Sequence, residues 1–160
     1  MMHDNNKTNW TIRKAIETDS DAVCELLFLL KTMYGSSHQN TLHDFLPIYL
    51  PVVKQAISLT ENHIVIAEKN DGYLIGFISL SVRTVLRNPT PIGSIEEIYV
   101  RTENRRNGVG TALWRAAVDY FMKTRVRRVE VITSLAHPGQ RPFSKVIGME
   151  WYSSVHTINL

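Results

Sequence analysis

The heptapeptide Arg105-Arg106-Asn107-Gly108-Val109-Gly110-Thr111 sets two arginines ahead of two glycines one residue apart, and an apolar helical stripe follows at once. Glycines let a backbone approach a ligand without interference from a Cβ. The first amides of a helix have no internal partner and lie at the positive end of its dipole. Such a turn suits a phosphate or pyrophosphate, and Arg105 and Arg106 add cationic donors beside it. Two better-known phosphate motifs do not fit. No Lys-Ser/Thr pair follows the glycines, as a P-loop requires, and Leu113 stands where a dinucleotide fingerprint has its third glycine. The alternative is that Gly-x-Gly only permits close helix–strand packing; the arginines and the order of the surrounding elements favour a ligand. Just upstream, Glu96 and Glu97 offer two carboxylates for proton transfer. Neighbours on a strand face opposite sides, so one is expected to face a cleft and the other the far side of the sheet.

The elements that must position these groups follow from the hydrophobic pattern. Trp10–Ile16 alternates like a strand, and Thr18 to Asp21 has capping-box spacing for a helix start. Ala22, Val23, Leu26, Leu27, Leu30 and Met33 continue at helical spacing until Gly35. Pro47 and Pro51 are expected to break residues 36–59 into short helical pieces, the second starting at Pro51. His63–Lys69 and Tyr73–Val85 read as strands joined by the turn Asn70-Asp71-Gly72, with Gly76 marking a bulge or a close backbone approach. Arg87–Gly93, with two prolines and a glycine, reads as a loop, and Ile95–Val100 as a strand. Val109, Ala112, Leu113, Ala116, Ala117, Tyr120 and Phe121 form one helical stripe after the turn. Arg128–Thr133 as a strand, Pro142–Ile147 as a short helix and two closing strands, Trp151–Ser153 and Val155–Asn159, complete the order. The fold class is α/β (α+β): a mixed sheet with helices on both faces, and not a doubly wound nucleotide fold, because three strands run consecutively in the middle.

At 160 residues, with no linker, repeat or low-complexity tract, the chain is expected to be a single domain over 1–160 with a flexible start over 1–9. The single cysteine, Cys24, excludes an internal disulfide and reads as a buried structural thiol. No secretory signal pattern and no apolar run near ~20 residues is present, so a cytoplasmic protein that does not contact membrane is expected. The net charge of +3 comes with a basic stretch of Arg101, Arg105, Arg106, Arg115, Lys123, Arg125, Arg127 and Arg128. Composition allows a solvated helix face, a nucleic-acid patch or a pocket for a polyanionic ligand. Interleaved exposed aromatics and a nucleic-acid motif are missing, so no nucleic-acid partner is expected. His38 and His43 stand five apart without a cysteine or carboxylate cluster, so no metal is expected.

The turn resembles the acyl-CoA-binding motif of the GNAT N-acetyltransferase superfamily, [Q/R]-x-x-G-x-[G/A], with Arg105, Gly108 and Gly110 at its defined positions. The likeness runs along nearly the whole chain. Ile12-Arg13-Lys14-Ala15 with Asp19 resembles the family's first strand and helix start, Leu74-Ile75-Gly76-Phe77 its third strand, and Phe143–Met149 its later aromatic motif. The resemblance implies a sheet of about seven strands, splayed between the fourth and fifth. It implies acetyl-CoA as acyl donor, its pyrophosphate on the amides of Arg106, Asn107, Gly108, Val109, Gly110 and Thr111. Exposed amides of Ile98, Tyr99 and Val100 would hold the pantetheine and polarise the acetyl carbonyl, and His137 and Ser144 would also lie on the cofactor.

In similar enzymes an amine attacks the thioester directly, and a carboxylate or imidazole takes its proton, often through a water. Alignment with them favours Glu96 over Glu97 as that base. Ser144 departs from the pattern, since many relatives have there a tyrosine that protonates the thiolate; Tyr152 or water would have to substitute. His137 and Gln140 depart as well, from an asparagine and a small residue. The stretch Tyr34–Tyr49 and the loop 87–93 would wall the acceptor site, with Tyr34, Asp44, Tyr49 and Glu97 as receiving groups. The function implied is acetylation of a primary amine on a small molecule. The rivals are acetylation of a protein or peptide and a non-catalytic acyl-CoA sensor. Homodimers are common among similar proteins.

Overall fold

The computed structural model describes residues 9–35, 39–60, 62–86 and 88–131. Most of the flexible start expected over 1–9, the helix Pro142–Ile147, the two closing strands, and His38, His137, Gln140, Ser144 and Tyr152 lie outside the described residues. Within them the elements are β1 (Trp10–Lys14), α1 (Ser20–Met33), α2 (Leu42–Ser58), β2 (Asn62–Lys69), β3 (Leu74–Val85), β4 (Asn88–Val100), α3 (Val109–Lys123) and β5 (Arg128–Val131). The five strands form one mixed sheet in the order β1-β2-β3-β4-β5, with β4–β5 parallel and the other pairs antiparallel. The two further strands expected from sequence fall after Val131, outside the described residues.

Strand alternation sends side chains to two cores. Ile64, Ile66, Leu74, Phe77 and Tyr99 pack with Val23, Leu26 and Leu30 of α1 and Phe45 and Val53 of α2. Val65, Ala67, Ile75, Ile78, Leu80 and Ile95 pack on the other face with Val109, Leu113, Ala117 and Phe121 of α3. Each fully buried Leu, Ile or Phe contributes about 1.5–3 kcal/mol relative to exposure, so the α3 stripe both folds the helix and fixes its first turn at the sheet. Gly93 permits that contact: a Cβ there would stand 2.6 Å from the Phe121 ring. Cys24 is fully buried in the first core, and burial pushes its thiol up to about 11, which agrees with a structural role.

Three expectations are corrected. The helix start is not capped from Thr18. Glu17–Asp19 form a single 3₁₀ turn, and the Asp19 carboxylate accepts the Ile16 N–H at 2.8 Å while pairing with Arg13. Pro47 and Pro51 do not break the second helix, which runs unbroken over Leu42–Ser58 from a Thr41 cap that accepts the Asp44 N–H at 3.2 Å. The prolines stand four apart on the exposed side, so the carbonyls that lose their donors, on His43 and Pro47, lie on the side that water reaches. Residues 88–93 are not a loop but the first half of β4, paired to β3 through Val85↔Asn88, Arg83↔Ile92 and Val82↔Gly93. The register is irregular between Arg83 and Val85, opposite the prolines, which is where a strand tolerates residues without an N–H.

Candidate active site

The register of β4 against β3 slips once more, and that slip shapes the site. Leu80 pairs with Ile95 but Ser79 pairs with Glu97, so Glu96 is the extra residue of a β-bulge. The bulge breaks the strict alternation that would send Glu96 and Glu97 to opposite faces. Glu96 Oε1 accepts the Ser81 hydroxyl at 2.7 Å, and Ser81 shares the face of Ser79 and Phe77 on β3. Glu97 pairs with Ser79 on that face and feels the charge of Lys31 on α1. Both carboxylates therefore look toward α1 and α2, and the expectation of opposite faces is overturned. Their surroundings differ. Glu96 is exposed; Glu97 is half-buried, and burial, with Glu96 adding repulsion and Lys31 opposing, holds its carboxyl above the usual carboxylate range. Lys31 Nζ stands 5.4 Å from the centre of the Tyr49 ring, which stacks on Phe45 at 3.9 Å. Tyr49 and Glu97 thus border one region, whereas Asp44 is exposed at the start of α2 and bonds to Thr41.

Among the described residues β5 runs beside β4 up to Ile95, where those of β5 end at Val131. The parallel pairing covers only Ile92↔Arg128 through Ile95↔Val131, so among the described residues no strand lies on the outer edge of β4 after Ile95. The Arg101 N–H bonds to Ile75 O at 2.9 Å, which fixes the alternation: Tyr99 turns its backbone groups to β3, and Ile98 and Val100 turn theirs outward. The Val100 carbonyl confirms this by accepting Arg105 Nε–H at 2.9 Å. Of the three amides grouped together from sequence, that of Tyr99 is committed to the ladder. Its ring is buried in the first core, with the Arg105 guanidinium 5.6 Å from its centre.

The chain then makes a short 3₁₀ turn, Thr102–Asn104, and enters α3. Positive φ at Arg106 (65°) and Gly108 (80°) turns the backbone twice within three residues, and turns with left-handed residues are the kind in which neighbouring amides can face one anion. The first helical bond is donated by Ala112 to Gly108 O at 3.0 Å, so the amides of Val109, Gly110 and Thr111 open the helix ahead of it. A Cβ on Gly108 would meet no atom within 4 Å. Arg106 and Asn107 are exposed beside it. Arg105 is not aimed wholly outward: besides Val100 O, it reaches Met33 Sδ at the end of α1, 3.3 Å away. The donor set, amides and guanidinium groups without a carboxylate in the turn, fits a diphosphate.

The turn before α3, the outward backbone groups of Ile98 and Val100 and the two carboxylates lie on one continuous segment, Glu96–Thr111. Sequence reasoning missed Ser81, Lys31 and Arg101. Arg101 was one of a run of basic residues, but it is buried and bonded to β3 and α1. A groove of about 590 Å³ between Lys14–Glu17 and Lys54–Ser58 contains none of the site residues. It borders β1, about 14 Å of sheet away from β4. Among the described residues no three His, Cys, Asp or Glu side chains gather to hold a metal, and no helix is long and apolar enough to cross a membrane.

A sequence profile of the acetyltransferase (GNAT) family matches residues 28–149. Similar folds are found in an aminoglycoside acetyltransferase from an uncultured soil metagenomic sample, crystallised with sisomicin (TM-score 0.77, 14% identity, 95% of this chain and 96% of that one). Another is the aminoglycoside 6'-N-acetyltransferase of Acinetobacter baumannii (TM-score 0.77, 18% identity, 94% and 97%). A third is a ribosomal-protein-alanine N-acetyltransferase of Brucella melitensis (TM-score 0.74, 15% identity, 94% and 99%). At these identities the likeness is one of fold. No curated protein matches the chain in sequence.

Proposed function

The chain belongs to the acetyltransferase (GNAT) family, and from that premise we propose that it transfers an acetyl group from acetyl-CoA to a primary amine of a small molecule, the whole chain acting as one domain. The observation that carries the proposal is that the glycine turn at the start of α3, the outward backbone groups of Ile98 and Val100 and the Glu96–Glu97 bulge lie on one short segment. Bound there, acetyl-CoA supplies an acetyl thioester that an amine attacks directly. The amides of Val109–Thr111 and the exposed Arg106 hold its diphosphate. The outward backbone groups of Ile98 and Val100 receive the pantetheine arm, and an amide on that edge stabilises charge developing on the carbonyl oxygen.

Glu97 takes the proton from the acceptor's ammonium, and the neutral amine left behind attacks the thioester. A carboxylate raised by burial is better matched to that task near neutral pH than an exposed one. Glu96, fixed by the Ser81 hydroxyl and open to solvent, orients the amine beside it. This exchanges the roles that alignment alone favoured. The small-molecule acceptor is supported by the covering of the Glu97 face: α2 is one continuous helix, and Tyr49 on it stands over Lys31, where a peptide would need an open groove. Two of the three similar structures named above are aminoglycoside acetyltransferases, while the third acts on a ribosomal-protein alanine.

CoA release measured with acetyl-CoA and a panel of polyamines, aminoglycosides, amino acid amides and N-terminal peptides tests the proposal. Faster release with at least one small amine than with any peptide is expected. Release with peptides alone would assign the chain to protein acetylation, and binding without release would make it a sensor.

A further inference from the structure

The root of the turn is tied down by one buried side chain. Arg101 is 7% exposed, at the point where β4 ends. Its N–H makes the last ladder bond, to Ile75 O at 2.9 Å, and its carbonyl accepts the Asn104 N–H at 2.9 Å, which closes the 3₁₀ turn. Its side chain makes three further contacts, at the start of β3 and on α1: Nε donates to Leu74 O at 2.9 Å, Nη2 donates to Glu25 Oε1 of α1 at 2.7 Å, and the guanidinium lies over the Tyr73 ring at 4.5 Å. Arg105, four residues on, ties the far side of the turn to Met33 at the other end of α1. Glu25 and Met33 are about 12 Å apart along that helix. The turn is therefore set against α1 at two well-separated points, with Arg101 as the buried one. A planar guanidinium is needed for this arrangement, because no ammonium can donate along Nε and Nη2 and also stack.

We propose that Arg101 is a positioning residue of the donor site: it sets where the anion-binding turn stands relative to the end of β4, and so sets the affinity for the acyl donor's diphosphate without touching it. This rests on reading the turn as the donor site. It also makes Glu25, on a different element, a part of donor affinity.

The test uses Arg101→Lys and Glu25→Gln in the full chain, with Arg13→Lys as a control in the comparable Arg13–Asp19–Glu68 network, which joins β1, the 3₁₀ turn before α1 and β2. Amide hydrogen exchange over residues 102–111 is followed without ligand, and acetyl-CoA binding by calorimetry. Arg101→Lys is expected to speed exchange across the turn and weaken acetyl-CoA binding about tenfold, since small displacements of positioning groups have effects of that order or more. Glu25→Gln should do the same to a smaller degree, and Arg13→Lys should leave affinity within twofold even if it unfolds at a lower temperature. If wild type binds acetyl-CoA and both Arg101→Lys and Glu25→Gln bind it as tightly, with unchanged exchange in the turn, the assignment of Arg101 is wrong and the donor site stands. Equal weakening by Arg13→Lys would reduce Arg101 to general stability. A wild-type chain that binds no acetyl-CoA overturns the donor reading and this inference with it.

Discussion

Replacing Gly108 by alanine and by glutamate separates conformation from charge at the turn before α3. Gly108 has φ 80°, so either residue brings a left-handed strain of about 1–2 kcal/mol to the folded chain. A Cβ there meets nothing within 4 Å, so neither adds an internal collision. The two variants differ chiefly in a carboxylate placed before the first amides of α3. A carboxylate about 5 Å from a phosphate charge repels it by roughly 1–3 kcal/mol for an effective dielectric between that of water and that of a protein surface. For a diphosphate the sum is at least about 2 kcal/mol, or roughly 30-fold in affinity. Calorimetry with acetyl-CoA at low ionic strength, where screening is weakest, should show Gly108→Ala binding near wild type and Gly108→Glu at least about 30-fold more weakly. Equal thermal shifts in the two variants confirm that strain is shared. Affinities of the two within threefold of each other would refute the assignment of this turn to an anion.

The bulge predicts a division between the two carboxylates. Glu97→Gln should lower kcat about 100-fold or more with donor affinity unchanged, while Glu96→Gln should mainly raise the KM of the amine; the reverse pattern in steady-state kinetics would exchange their roles. Because the folded chain holds the Glu97 carboxyl above its ordinary value, stability from this group is full below the unfolded value and falls as pH rises through the folded one. Thermal melts at neutral pH should therefore show Glu97→Gln at least as stable as wild type, and the acidic limb of kcat/KM should lie above the usual carboxylate range in wild type and disappear in the variant. At the back of the sheet, Gly93→Ala drives a Cβ into the Phe121 ring and should cost about 1–3 kcal/mol in denaturant unfolding. Much of that loss should be recovered relative to Phe121→Leu alone in the double variant, and simple additivity would contradict the close packing of α3.

Features with a local cause were readable from the chain. The stripe Val109–Phe121 and the two glycines before it place α3 and its open first turn, because helical periodicity and left-handed φ are properties of neighbouring residues. The order of the strands followed from their hydrophobic patterns and agrees with the pairing, β4 and β5 being parallel. What escaped depends on partners distant in sequence. The Glu96 bulge exists only in the register of β4 on β3, so simple alternation misplaced the two carboxylates. Pro47 and Pro51 read as breakers, since their harmless position on the outer side of α2 is set by what α2 packs against. Arg101 read only as one of a run of basic residues, because its partners, Glu25 seventy-six residues earlier and Leu74, are distant in sequence.

The most direct measurement is a calorimetric titration of the wild-type chain with acetyl-CoA beside S-acetyl-pantetheine, which carries the same thioester and arm without the diphosphate. Micromolar binding of acetyl-CoA, weakened at least a hundredfold when the diphosphate is missing, is the predicted result. No binding at millimolar acetyl-CoA, or equal affinity for both donors, would contradict a donor site built on Arg105–Thr111.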